Sequence, residues 1–302
     1  MQMNTPPRDP SRRTTASRGV SRRGKAMRLT RRGRLVLGVT GVLVAGAAVA
    51  VSLLSLAGGT TRPASLVIPE GWRASQVYDA VDKALALPAG STRSSVGTAG
   101  LKLPGDAGGN PEGYLFPATY PLEKDATPQS VLRAMVDTAN RRFGAAPVAA
   151  GAQRDAMNGY QAVTIASIVQ AEAADEADMG KVARVVLNRL QHGMPLQMDS
   201  TLNYALNRRT LNTTVDDTRI ENPYNSYQRM GLPPTPIDNP GADAMRAALN
   251  PTPGDWLYFV TVKPGDTRFT ADYAEHQRNV ADFNAVQSSK AHPSPQVSQS
   301  PR

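Results

Sequence analysis

The segment Val163–Glu172, VTIASIVQAE, constrains this chain more than any other. Val163, Ala166, Ile168 and Val169 make it apolar on nearly every side, as a helix buried in a core must be. Glu172 closes the run and is the first charged residue after Arg154 and Asp155. Burial of a carboxyl at that helix end would raise its pKa and make it a proton donor near neutral pH. An acidic turn follows, with Asp175, Glu176 and Asp178 read as solvated charges. Val182, Val185, Val186 and Leu190 then mark one face of a second helix, and Gly193 suits its C-terminal cap.

Composition matters chiefly through its uneven spread. The net charge of +9 points toward nucleic acid until it is located. Residues 1–34 hold eleven Arg or Lys and one acid, a net of +10, which leaves the remaining chain at −1. The folded part is therefore nearly neutral, and no nucleic-acid partner is expected. Cysteine is absent, which removes disulfides, thiol nucleophiles and Cys-based metal sites. The three histidines, His192, His276 and His292, show no ligand spacing, and no metal or cofactor is expected.

Residues 1–34 are poor in apolar groups and read as a disordered basic tail. From Leu35 to Thr61 no residue is charged. Residues 35–57 would make about 35 Å of helix, enough to span a hydrocarbon core. The positive charge before this stretch places the N-terminus in the cytoplasm and the rest of the chain outside. The expectation is an uncleaved single-pass anchor at the cell membrane. A cleaved signal peptide is the rival reading.

Beyond the linker, Leu66–Ile68 reads as a strand and Ser75–Leu85 as a helix. Residues 93–109 look like a loop, and Glu112–Pro117 like a short aromatic strand. Thr127-Pro128 is a helix start, with Val131, Leu132, Met135, Val136 and Ala139 on one face. After the central helical pair, residues 207–240 are polar and Pro-rich. Ala242–Leu249 reads as a short helix, Trp256–Val262 as a strand and Tyr273–Phe283 as a last helix. Residues 286–302 are Ser-, Pro- and Gln-rich and read as disordered. No phosphate-cradling loop, dinucleotide fingerprint or G-x-S-x-G is present.

Five stretches carry a resemblance: NPEGYLFPATYPL, IASIVQAEA, VVLNRLQHGMPLQMDST, NPYNSYQRMGLPPTPIDNPG and WLYFV. In this order, within residues 66–283, they resemble the YceG-like (MltG-type) endolytic murein transglycosylases. The resemblance implies an α+β fold: a small LysM-like module over 66–109, here only its second half, and a mixed catalytic domain over 110–285. It implies cleavage within peptidoglycan glycan strands, at the MurNAc–GlcNAc bond, with 1,6-anhydro-MurNAc ends and peptidoglycan synthases as partners.

The resemblance aligns Glu172 with the family's catalytic acid. Where many relatives carry a second Glu two positions earlier, this chain has Gln170. Substrate contacts are expected from Glu112, Gln197, Asp199, Tyr224, Asn225 and Tyr227. Glu112 either lines the cleft or caps backbone amides. The Tyr224–Tyr227 cluster either faces sugar or pins its loop. Asn188 and Arg189 read as packing groups. Ser200 stands where the family usually has proline. A non-catalytic scaffold, suggested by the shortened LysM-like region and Gln170, and a muramidase-type hydrolase, which would need the same acid, are the alternative functions.

Overall fold

In the computed structural model, residues 65–144, 157–208 and 213–291 are described. The expected basic tail and anchor, residues 1–57, lie outside them. Among the described residues no helix is long and apolar enough to cross a membrane.

The chain opens with β1 (Ser65–Val67) and α1 (Ala74–Ala84). Val77 and Val81 on α1 are completely buried. Asp82 on the same helix, 3% exposed, accepts bonds from the Gly90 and Thr92 amides and the Thr92 hydroxyl. That buried carboxylate orders the next stretch, so α2 (Ser91–Ser95) and two 3₁₀ turns replace part of the loop expected from residue 93.

β1 pairs antiparallel with β2 (Thr119–Pro121), Leu66 opposite Tyr120. The first strand thus finds its partner beyond residue 109. The Glu112–Pro117 segment is not a strand but a chain of turns. Gly113 adopts φ +85°, and a Cβ there would meet the Pro236 side chain at 2.6 Å. Glycine alone fits that conformation and that approach.

α3 (Pro128–Phe143) starts as the sequence predicts, with Thr127 Oγ1 accepting from the Ser130 amide. α4 (Gly159–Glu172) is capped reciprocally by Asn158 and Gln161. Every residue from Ala162 to Val169 is buried, as its uniform apolarity requires. α5 (Glu176–Gln191) is capped by Asp175, whose carboxylate accepts from the Asp178 amide. The acidic turn is therefore a helix start, where anionic groups complement the exposed N–H ends. Gly193 follows the C-cap His192 at φ +60°.

α6 (Asp199–Ala205) had no periodic signal in the sequence. α7 (Ala242–Leu249) packs against both α4 and α5. The chain ends in a hairpin, β3 (Tyr258–Lys263) with β4 (Asp266–Thr270), covered by α8 (Tyr273–Ala291). β3 begins two residues later than expected. α8 passes residue 286, where disorder was expected. The α+β expectation holds coarsely: helices dominate, with two small two-stranded sheets.

Candidate active site

Glu172 is the last residue of α4, where the buried helix emerges. Its surface is partly covered, and its Oε1 accepts the Ser200 backbone N–H at 3.0 Å. Ser200 lies in the first turn of α6, where amides have no intrahelical acceptor. The loss of hydration pushes the Glu172 pKa up, the Asp199 charge adds to this, and the Ser200 groups oppose it. Burial wins, so the protonated acid is favoured beyond the usual carboxyl range.

Asp199 sits beside the acid, and its Oδ1 accepts the Tyr227 hydroxyl at 2.6 Å. Burial, with the Asp199 and Glu172 charges, keeps the Tyr227 phenol protonated. Gln197 holds φ +55°, a left-handed conformation that non-glycine residues seldom adopt. Its amide N–H donates to Ser226 O and its Oε1 accepts from Arg189 Nη1 at 3.0 Å.

Arg189 is 1% exposed and also donates to the Leu257, Pro195 and Leu196 carbonyls. This buried guanidinium holds the loop that presents Gln197 and leads into α6. Asn188 donates to the Gly254 and Trp256 carbonyls. Both residues pack, as the sequence suggests, although the support Arg189 gives Gln197 was not foreseen.

The remaining expected contacts fall elsewhere. Asn225 is completely buried; its amide donates to Thr218 O and Ile220 O, and its Oδ1 accepts the Tyr227 amide. These bonds pin the loop that carries Tyr227. Glu112, 3% exposed, accepts from the Ala74 amide at 2.8 Å, Asn239 Nδ2 at 3.3 Å and the Tyr204 hydroxyl at 3.1 Å. It caps α1 rather than lining a cleft. Tyr224 packs its ring on Tyr204 and shares a hydrogen bond with Thr235. Tyr204 in turn lies under Arg73.

Gln170 Oε1 accepts the Gly241 amide at the start of α7. It therefore serves packing, and Glu172 is the carboxyl this helix end offers. Concavities of about 410 and 720 Å³ open near Tyr114 and Tyr160, and neither is lined by Glu172. Proximity to titratable and hydrogen-bonding groups locates the site better than cavity size does. Among the described residues no cluster of His, Asp and Glu is arranged to hold a metal ion.

A carboxyl with a burial-raised pKa, a neighbouring carboxylate tied to tyrosine and an amide held in place thus meet at the end of α4. The chain belongs to the YceG-like family, whose model matches residues 43–282. It is similar to the endolytic murein transglycosylase of Bacillus subtilis, with 36% identity over 168 residues, 55% of this chain and 46% of that protein. The enzyme of the same name from Streptococcus pneumoniae D39 is 32% identical over 177 residues, 57% of this chain and 32% of that protein. This chain thus matches less than half the length of either curated relative. A crystal structure of a YceG-like protein from Listeria monocytogenes superposes with a TM-score of 0.64 at 31% identity, covering 72% of this chain and 76% of that one.

Proposed function

We propose that this protein is an endolytic lytic transglycosylase that cuts peptidoglycan glycan strands between MurNAc and GlcNAc. The observation that carries the reading is the Glu172 carboxyl, partly buried at the end of α4 with a raised pKa. Family membership and the names of its relatives support it.

Glu172 protonates the glycosidic oxygen as the bond to the anomeric carbon breaks. The O6 hydroxyl of the muramyl residue attacks that carbon and closes the 1,6-anhydro ring. The carboxylate then takes the O6 proton and is ready again. One carboxyl serves both halves, as general acid and then general base. No water enters, so a second carboxylate to activate one is unnecessary. Asp199, tied to Tyr227, acts on the charge balance of Glu172.

The uncharged run over residues 35–57 supports a single membrane anchor with the N-terminus in the cytoplasm. On this reading the enzyme faces the wall and shortens nascent strands next to the synthases. Mass spectrometry of digested glycan strands tests the chemistry. Anhydro-terminated fragments, lighter than reducing ends by one water, are expected. Reducing ends alone would make the protein a hydrolase, and uncut strands would make it a scaffold.

A further inference from the structure

We propose that Ser200 is a positioning residue for Glu172: its backbone N–H occupies Oε1, so the transferable proton resides on Oε2. This rests on the reading of Glu172 as the acid, and the two can fail separately.

The geometry is asymmetric. Oε1 accepts the Ser200 amide at 3.0 Å. Oε2 accepts no hydrogen bond from the described residues and is not among the buried unpartnered atoms. A protonated carboxyl carries its hydrogen on one oxygen, and an oxygen already accepting an N–H is the poorer place for it. The proton therefore sits on the open oxygen, where a substrate oxygen can reach it. The Oε2–H bond breaks as that proton passes to the leaving oxygen. The new carboxylate keeps its bond to Ser200 and regains a proton from the muramyl O6.

The Ser200 N–H is free to act this way because α6 begins at Asp199 and that N–H has no acceptor within the helix. The Ser200 hydroxyl is buried beside the same carboxyl, and it too favours the charged form of Glu172. The ionisable groups beside Glu172 are Asp199, on the same helix as Ser200, and Tyr227, on the following loop. Glu70 lies in a separate acidic group, where burial first and then the Asp243 and Glu176 charges push its pKa up. An N–H donor to a carboxylate stabilises the charged form, so Ser200 opposes burial and keeps the group able to act as base as well as acid.

Ser200→Pro deletes the N–H, and proline is tolerated in a first helical turn. Ser200→Ala keeps the N–H and deletes only the hydroxyl. The measurement is the ¹³C titration of the Glu172 carboxyl in the full chain, its resonance identified by loss in Glu172→Gln. Ser200→Pro, which loses both the N–H and the hydroxyl, should raise the midpoint by roughly one pH unit and clearly further than Ser200→Ala, which loses the hydroxyl alone. The alkaline limb of the pH–rate profile on glycan strands should follow the midpoint upward in each variant, furthest in Ser200→Pro.

A second measurement needs no change at Ser200. The Ser200 amide resonance of the native chain should shift with the Glu172 titration and lose that step in Glu172→Gln. Equal midpoints for native and proline chains, equal shifts in both variants, or an amide that ignores the titration would overturn the proposal. If the midpoint moved and the rate profile did not, the contact would stand and Glu172 would not be the acid.

Discussion

The Tyr227 hydroxyl donates to Asp199 Oδ1 at 2.6 Å across a sequence separation of 28 residues. This bond fixes the carboxylate whose charge helps to raise the Glu172 pKa. Asp199→Asn removes that charge, so Glu172 ionises at lower pH and less acid is protonated at neutrality. Activity at pH 7 should fall, and the pH at which the rate declines should move downward. Tyr227→Phe keeps the charge and loses the tether; a drop of roughly tenfold is expected from one lost charge-assisted bond. Rate profiles of the two variants on purified strands check both outcomes.

Glu112 should prove structural. Its carboxylate gathers three donors, from Ala74, Asn239 and Tyr204. Glu112→Ala leaves them without that acceptor and should cost about 3 kcal/mol of stability. Urea denaturation reads this directly. The rate of the molecules that remain folded should change little, because the Ala74 and Asn239 donors belong to the α1 cap and the approach to α7 rather than to the end of α4.

The stability of the chain should depend on His276. The ring is 1% exposed, stacks on Tyr258 at 5.0 Å, and neither nitrogen has a hydrogen-bond partner among the described residues. Burial first, and the nearby Arg189 charge second, push its pKa down to about 4. The unfolded ring protonates near its ordinary value of about 6.5. The stability contributed by the neutral ring is therefore complete above that value and is lost as pH falls from it toward 4. Thermal unfolding at pH 7.5 and pH 5 should show a larger drop for the native chain than for His276→Phe.

Local pattern made much of this fold legible. Uniform apolarity announced the burial of α4, and Thr127-Pro128 announced the start of α3. The acidic turn was visible, but not its work as the cap of α5. What stayed hidden depends on distant partners. The polar heptapeptide of α6 has no stripe to read. Its start is set by Ser226 bonding the Met198 amide and by Tyr227 bonding Asp199. The α1 cap spans 38 residues, from Glu112 to Ala74. The aromatic run at Tyr114–Phe116 looks extended until Gly113 is seen to turn against Pro236. Glu172 itself was legible as a candidate from its place, and the resemblance gave it a role.

The most direct test of the whole account is Glu172→Gln. Gln keeps size and helix propensity but carries no transferable proton, so the fold should persist by circular dichroism. The appearance of anhydro-terminated fragments from purified glycan strands should fall by at least about 10²-fold. Glu176→Gln, exposed at the start of α5, and Asp178→Asn, half-buried in the same turn, should retain near-normal rates. Full activity in Glu172→Gln together with loss in a folded Glu112→Gln chain would contradict the account and move the acid to the turn before Tyr114.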